Sequence, residues 1–336
     1  MKLSAVFLLV FSMMALTSGL RYFHHGRFYW RHFRICPHGW TKINSRCFRY
    51  VATPMTWANA EKNCLSMGAN LASVHNLYEY RQIQAMIHRR SCNSREAWLG
   101  GTDAQQERTW LWSDGSPMRY TNWCRGEPNN AGGSQHCLQM NFSGAKCWDD
   151  LWCNHNLPSV CVKRFRRRIS IMKLSAVFLL VFSMMALTSG LRYFHHGRFY
   201  WRHFRICPHG WTKINSRCFR YVATPMTWAN AEKNCLSMGA NLASVHNLYE
   251  YRRIQAMIRA GSCSCREAWL GGSDAQQERT WLWSDGSPMR YTNWCRGEPN
   301  NAGGSQHCLQ MNWSGAKCWD DLWCNHNLPS VCVKRF

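Results

Sequence analysis

Cysteine is the most conspicuous reactive residue in this chain of 336 residues, which contains 19 of them. So many cysteines are typical of an exported protein in an oxidising compartment, where they form a disulfide framework. An odd total means that at least one thiol has no partner within the chain. The cysteine content therefore predicts a secreted, extracellular protein.

The remaining reactive residues form no recognisable catalytic constellation. The sequence has no nucleophile–base motif, no zinc-ligand spacing and no phosphate-binding loop, so we predict that the protein is not an enzyme. Residues 122–146 are instead rich in Gly, Asn and Pro, with little periodicity. A loop that long in a compact domain is usually functional. The acidic pair Asp149 and Asp150 follows it closely.

A tandem duplication organises the chain. Residues 1–165 recur as residues 172–336, at an offset of 171, with eight substitutions. A period this long indicates two tandem domains rather than a solenoid, whose repeats span about 20 to 50 residues. Because the copies are nearly identical, we expect both domains to have the same function.

Each copy begins with a segment laid out like a signal peptide. Residues 1–19 and 172–190 share a basic start, an apolar stretch and a small-residue exit. The apolar part is too short for a membrane span. We predict that residues 1–19 are a signal peptide that directs secretion, and that residues 172–190 are an internal signal-like segment.

The formal net charge of +23 is spread through the chain, but basic residues are densest in two kinds of segment. Basic aromatic arms occupy residues 20–35 and 191–206, and a basic linker occupies residues 166–171. Basic surfaces attract polyanions, which for an exported protein means anionic glycans or lipids rather than nucleic acid. Two interpretations of the arms stay open: a disordered propeptide or edge strand, and an anchor for anionic surfaces.

The joint between the copies contains Arg164-Phe-Arg-Arg167, which fits the Arg-x-Arg-Arg pattern cut by furin-like proteases. Cleavage there would release two separate domains. The alternatives are an intact charged linker and a gene-model fusion of neighbouring genes. An uncut chain would expose the apolar internal segment, which is a liability in a soluble protein.

Periodicity and turn residues predict the elements of the first domain. Cys36–Trp40 and Cys47–Tyr50 are predicted as two short strands. Thr56 is predicted to cap a helix whose apolar residues recur at three- and four-residue steps, and Gly68 to end it. A second helix is predicted from about residue 77 to 88. Further strands are predicted within residues 96–101, 109–117 and 159–162.

Several ordered motifs in these elements resemble the C-type lectin domain. They are Cys36-Pro-x-Gly-Trp40, Gly68-Ala-Asn-Leu-Ala-Ser73, Trp98-Leu-Gly-Gly101 and Trp112-Ser-Asp-Gly115. Small soluble fish lectins and type II antifreeze proteins are the relatives that this resemblance suggests. It implies two α+β C-type lectin-like domains, at residues 36–165 and 207–336. Each would have two helices, small antiparallel sheets and a long irregular loop.

The resemblance also implies a disulfide pairing. The expected pairs are Cys36–Cys47, Cys64–Cys161, Cys124–Cys147, Cys137–Cys153, Cys207–Cys218, Cys235–Cys332, Cys295–Cys318 and Cys308–Cys324. Cys92, Cys263 and Cys265 are left over. One interpretation is that these cysteines form bridges between units or between chains, the latter giving a disulfide-linked oligomer. The other is that they are free or capped surface thiols.

The resemblance further implies a calcium (Ca²⁺) site where the long loop meets Trp-Asp-Asp. Calcium takes six to eight oxygen ligands, and a mixture of carboxylates and amides suits it. Pro128 and Pro299 are implied to follow cis peptide bonds that aim their neighbours inward. Trp152 and Trp323 are candidates to stack on a sugar. The implied metal ligands, which are also the implied carbohydrate-binding residues, are Glu127, Asn129, Gln135, Asp149, Asp150, Glu298, Asn300, Gln306, Asp320 and Asp321.

The implied site departs from the family's mannose-type pattern, which is Glu-Pro-Asn, a later Glu, then Trp-Asn-Asp. Here Gln135 stands in place of the later Glu, and Asp149 in place of the Asn. The number of carboxylates stays at three, but one hydroxyl-binding pair has its acceptor and donor reversed. The pattern as a whole favours mannose-like ligands, whereas the reversed pair suggests a galactose-like diol in a turned pose. A calcium-stabilised loop without a sugar role is the third interpretation.

Taken together, the sequence predicts a secreted calcium-dependent lectin that binds cell-surface or microbial glycans in innate recognition. Two linked sites would add avidity on repetitive surfaces. The alternative is a type II antifreeze (ice-binding) protein, because the cysteine pattern and Trp-Asp-Asp resemble that class. Sequons at Asn141 and Asn312 predict N-glycosylation.

Overall fold

The computed structural model describes residues 36–91, 95–164, 207–262 and 266–335. The predicted leader segments, basic arms and linker lie outside these residues, as do Cys92, Cys263 and Cys265. Among the residues that the structure describes, no helix is long and apolar enough to cross a membrane.

A hairpin opens the first domain. Strand β1 (Thr41–Ile43) pairs antiparallel with β2 (Arg46–Met55). The prediction of a strand at Cys36–Trp40 is wrong, because this segment forms a turn in which Trp40 N donates to Pro37 O at 3.0 Å. Gly39 has a φ of 79° there, a conformation that glycine adopts readily and a strand does not use.

Two helices follow, and both were predicted. Helix α1 (Trp57–Ser66) begins after Thr56, whose hydroxyl accepts a hydrogen bond from Asn59 N at 3.4 Å. Helix α2 (Leu77–Ser91) extends three residues beyond its predicted end. Asn76 caps it through a 2.9 Å bond from Glu79 N to the Asn76 side chain.

One eight-stranded sheet connects the elements of the domain. The order is β1-β2-β8-β4-β6-β7, with β3 beside β8 and β5 beside β4. The first and last long strands, β2 and β8, pair antiparallel, whereas β4 and β8 are parallel. The predicted α+β class is confirmed. The remaining strands are β3 (Asn70–Leu71), β4 (Ala97–Thr102), β5 (Leu111–Trp112), β6 (Gln135–Phe142), β7 (Cys147–Trp152) and β8 (Leu157–Arg164).

Strand β6 lies inside residues 122–146, which were predicted to be one long irregular loop. The loop therefore ends at Gln135. Most residues of β6 are buried on both faces of the strand. Because alternation of apolar and polar residues marks only a half-buried strand, the sequence gives no period-two signal here.

The second domain repeats this arrangement and the sheet order. Its elements are β9 (Thr212–Ile214), β10 (Arg217–Met226), α3 (Trp228–Ser237), β11 (Asn241–Leu242), α4 (Leu248–Ser262), β12 (Ala268–Ser273), β13 (Leu282–Trp283), β14 (Cys308–Trp313), β15 (Cys318–Leu322) and β16 (Leu328–Arg335).

Each domain has an aromatic core. Trp148 is fully buried, and Tyr80, Trp112, Tyr120 and Trp123 pack their rings edge-to-face against it, with centroids 5.6 to 6.1 Å away. Such pairs contribute about 0.5–1.5 kcal/mol each beyond area burial. Because Trp148 directly precedes the acidic pair of β7, this packing fixes the backbone that carries Asp149 and Asp150.

Disulfides join the strands to the helices and loops. The described residues contain eight bridges, four in each domain, with the pairing that the resemblance implies. Cys64–Cys161 closes a loop of 97 residues between α1 and β8. In the chain-entropy model a loop of that length contributes about 4–5 kcal/mol to stability.

Candidate functional site

The candidate site is built on the loop between β5 and β6 and on strand β7. The Glu127–Pro128 peptide bond is cis, as the resemblance implies, and so is Glu298–Pro299. Asn130 follows with a φ of 47°, and a tight turn at Ala131–Gly133, in which both glycines have a φ of 74°, returns the chain to β6. The Cys124–Cys147 bridge joins the loop to β7. The Cys137–Cys153 bridge joins β6 to the residue that follows β7.

Asp150 holds this loop against the sheet. Its Oδ1 atom accepts a hydrogen bond from Asn129 N at 3.0 Å, and its Oδ2 atom accepts one from Asn130 N at 2.8 Å. The residue is 1% exposed. A buried carboxylate that receives two main-chain N–H groups is a rigid support, so the two residues after the cis proline are fixed by the sheet.

The carboxylates of three predicted ligands meet at this point, and the two predicted amide ligands share one main-chain donor in the adjacent loop. Carboxylate oxygens of Glu127, Asp149 and Asp150 lie within 4.8 Å of one another. The side-chain oxygens of Asn129 and Gln135 both accept hydrogen bonds from Ala131 N, at 2.8 and 2.7 Å. In the second domain Glu298, Asp320 and Asp321 converge in the same way, and Ala302 N bonds to Asn300 and Gln306.

The electrostatics of the cluster fit a divalent cation. Glu127 Oε2 is buried and accepts no hydrogen bond, whereas Oε1 accepts one from Asn129 Nδ2 at 3.0 Å. Burial, and then the charges of Asp149 and Asp150, raise the pKa of Glu127 to about 7. Glu298 behaves identically, with its pKa raised to about 7. A buried carboxylate oxygen that has no hydrogen bond and lies among like charges is destabilising unless a cation neutralises it. Carboxylate and amide oxygens are ligands that suit calcium.

Gln139 orients the site and was not predicted from the sequence. Gln139 lies opposite Asp149 in the β6–β7 pairing and is 3% exposed. Its Nε2 atom donates to Asp149 Oδ2 at 2.7 Å, and Gln310 makes the same bond to Asp320. Because β6 was not predicted, the sequence offered no means of placing these two side chains together.

A second polar cluster also contacts the loop. His136 Nδ1 lies 3.1 Å from Asp103 Oδ1 and 3.6 Å from Glu107 Oε2. Glu107 Oε2 also accepts a hydrogen bond from Asn130 Nδ2 at 2.6 Å. The hydrogen bond that His136 Nδ1 donates to the Asp103 carboxylate raises the pKa of His136, although burial opposes this effect. The cluster thus ties Asn130 to the segment after β4.

Trp152 lies beside the loop, where a stacking residue was predicted. It is 38% exposed, and its Cζ2 atom is 3.7 Å from the position that a Cβ on Gly132 would occupy. Its ring centroid is 5.2 Å from that of His155. Trp323 has the same surroundings and is 39% exposed. Both tryptophans therefore present an accessible ring beside the loop.

The predicted glycosylation sites are incompatible with this fold. Asn141 and Asn312 are fully buried. The Asn141 side-chain nitrogen donates to Arg95 O at 3.0 Å, and that of Asn312 donates to Arg266 O at the same distance. A glycan needs that nitrogen at the surface, so the sequon prediction is wrong for the folded domains. The sequon reports residue identity but not side-chain direction.

Known proteins resemble both halves of the chain. The lectin C-type domain family model matches residues 53–163 and 224–334. Ladderlectin of Oncorhynchus mykiss is 46% identical over 129 residues, which cover 38% of this chain and 68% of that protein. The galactose-specific lectin nattectin of Thalassophryne nattereri is 42% identical over 128 residues, which cover 38% and 80%. The type-2 ice-structuring protein of Hemitripterus americanus is 40% identical over 130 residues, which cover 39% and 76%.

Proposed function

Because this chain belongs to the C-type lectin family, we propose that it is a secreted lectin whose domains bind glycans through calcium. The observation that carries the proposal is the buried, unpartnered Glu127 Oε2 between two further carboxylates. The ligands would be Glu127, Asn129, Gln135, Asp149 and Asp150, with Glu298, Asn300, Gln306, Asp320 and Asp321 in the second domain.

Bound calcium would supply open coordination positions for two neighbouring sugar hydroxyls. The side chains supply the hydrogen bonds that select the sugar. Glu127 accepts and Asn129 donates, and these two are already oriented by their mutual 3.0 Å bond. At the second hydroxyl Gln135 is the donor and Asp149 the acceptor, and Gln139 holds Asp149 in place.

The preferred sugar is proposed to be a galactose-like diol. The reversed donor–acceptor order of Gln135 and Asp149 makes the site unlike the symmetric mannose-type site. The relative nattectin, 42% identical, is described as galactose-specific. Trp152 offers an exposed ring beside the loop, and stacking on the apolar face of a sugar suits such a ring. The biological use we propose is recognition of glycans on microbial surfaces.

Calorimetry and a glycan array test this proposal together. Calcium added to the oxidised protein should release or absorb heat with a stoichiometry of two, and the array should show galactose-type binding that EDTA abolishes. Glu127→Gln with Glu298→Gln should remove both signals. Glu96→Gln with Glu267→Gln makes the same change away from the site and should leave them intact. Absence of calcium heat, or sugar binding that survives EDTA, would refute the proposal.

Ice binding is the second candidate, because the ice-structuring relative is 40% identical over a whole domain. The net charge of +23 argues against it, since exposed charges order water differently from ice. Thermal hysteresis measured with and without calcium separates the two functions. Hysteresis in a protein that binds no sugar would establish this candidate instead.

A further inference from the structure

The two domains contact each other through the same face. Thr56, at the start of α1, donates its hydroxyl to Gln277 Oε1 at 2.9 Å. Thr227, its counterpart 171 residues later, donates to Gln106 Oε1 at 3.0 Å. Each domain thus donates the same threonine hydrogen bond to the equivalent glutamine of the other domain.

Two further bonds are reciprocal in the same way. Lys62 Nζ lies 3.4 Å from Thr280 Oγ1, and Lys233 Nζ lies 3.3 Å from Thr109 Oγ1. The side-chain nitrogens of Asn70 and Asn241 donate across the boundary to main-chain oxygens, at 3.0 and 3.1 Å. Each of these asparagines also donates to a buried glutamate of its own domain at 2.6 Å. The acceptors across the boundary are Gly286 O and Gly115 O.

Apolar side chains also pack across the boundary reciprocally. Leu111 of β5 is 8% exposed and belongs to the buried cluster of the second domain that contains Trp228. Leu282 of β13 packs against the corresponding cluster of the first domain, which contains Trp57. A cavity of about 40 Å³ remains between the domains. It has room for no more than a few water molecules, so the two faces fit closely.

The face is nearly free of the differences between the copies. Of the eight substitutions, only Thr102 against Ser273 falls among its residues. There Gln105 Nε2 donates to Ser273 Oγ at 3.3 Å. The calcium ligands are not part of the face. We call it the pairing face; its residues are 56, 62, 70, 102, 105, 106, 109, 111 and 115, with their equivalents 171 residues later.

A contact in which the same patch meets itself is the geometry of a two-fold homodimer. We propose that the pairing face is a self-recognition surface whose partner is a second copy of the same domain. The domains then hold together without the covalent joint, and a chain cut between them remains a dimer. Among the residues that the structure describes, every disulfide lies within one domain, so none of these bridges crosses the pairing face.

Sedimentation of a cut chain tests the proposal. A protease site is placed in residues 166–171 of the full chain, and Cys92, Cys263 and Cys265 are changed to Ser to exclude a bridge between the halves. After cutting, we expect one species with the combined mass of both halves at micromolar concentration. Two species of about half that mass would overturn the proposal.

Substitutions in the face make the test specific. Leu111→Asp with Leu282→Asp should weaken association of the halves roughly hundredfold or more, because buried apolar anchors dominate interfaces. Leu77→Asp with Leu248→Asp is the matched control, since these leucines are 45% and 44% exposed at the starts of α2 and α4. The control should sediment like the parent protein.

A milder pair covers the case in which the aspartate variant fails to fold. Gln106→Ala with Gln277→Ala removes only the two bonds to the threonine hydroxyls and leaves both helix caps intact. We expect several-fold weaker association with unchanged calcium heats, which report folded domains. If association is the same as in the parent protein, the pairing face is not what holds the halves together.

Discussion

Gln139 donates a hydrogen bond of 2.7 Å to Asp149 across the β6–β7 pair, and both side chains are buried. This bond occupies one carboxylate oxygen of Asp149 and fixes the direction of the other. The acid at this position is the residue that departs from the mannose-type pattern, so Gln139 positions the group on which the proposed specificity depends.

Removal of this support should weaken calcium binding. Gln139→Leu with Gln310→Leu leaves Asp149 and Asp320 without their partners. Loss of a residue that orients a metal ligand costs about 10- to 100-fold in affinity. Calorimetric titration measures the change, and Gln82→Leu on α2 serves as the control. An unchanged dissociation constant would show that Asp149 needs no such support.

Calcium should stabilise the folded chain. A ligand that binds only the native state adds about 2.7 kcal/mol per site at 100 times its dissociation constant. Asp150→Ala with Asp321→Ala should abolish that gain. It should also lower stability in EDTA by about 1–3 kcal/mol per domain, since Asn129 N and Asn130 N lose their acceptor.

Chemical denaturation with and without calcium measures both effects. The Glu96→Gln control should retain the full calcium gain. A variant at Asp150 that still gains stability from calcium would mean that the ion binds elsewhere.

The order of donor and acceptor at the second hydroxyl should decide the sugar. Gln135→Glu with Asp149→Asn, and the same changes at Gln306 and Asp320, restore the mannose-type order and keep three carboxylates per site. We expect calcium affinity to stay within about tenfold and array binding to move from galactose-type to mannose-type glycans. Mannose binding by the unchanged protein would contradict this account of specificity.

Glu61 should make stability depend on pH. Burial raises its pKa to about 7 from 4.5, and Glu232 behaves alike. Between those values the folded state binds more protons than the unfolded state, so stability falls as pH rises from about 4.5 to 7 and then levels off. The expected loss is on the order of 3 kcal/mol per domain.

The decisive measurement is the slope of unfolding free energy against pH in saturating calcium. Glu61→Gln with Glu232→Gln should flatten it, whatever the absolute stability of the variant. Glu96→Gln with Glu267→Gln should preserve it. An equally steep slope without the two buried carboxyls would assign the effect to another group.

Local signals in the sequence were sufficient for the helices but not for the interior of the site. Thr56 and the three- and four-residue apolar steps after it define α1 because capping and burial both act within one helix. His136 pairs with Asp103, 33 residues away, and no local sequence pattern predicts this contact. The acidic residues Glu127, Asp149 and Asp150 do lie close together, because Asp150 accepts hydrogen bonds from the backbone that follows the cis proline.

The pairing face was not predictable for a related reason. Leu111 lies in a run of large apolar residues that reads as ordinary core, and its burial depends on the other domain. The sequence indicates a turn role for Asn70 and a helix-cap role for Thr56. Both residues also donate hydrogen bonds to the second domain. A residue with two roles shows only its local role in the sequence.

The antiparallel pairing of β2 with β8 has an architectural consequence. Arg46 faces Arg164 in the register, so the chain enters and leaves the domain side by side. A domain whose two ends are adjacent can be inserted into a longer polypeptide without distorting the domains on either side. Duplication therefore adds a second complete module while leaving the first one undisturbed.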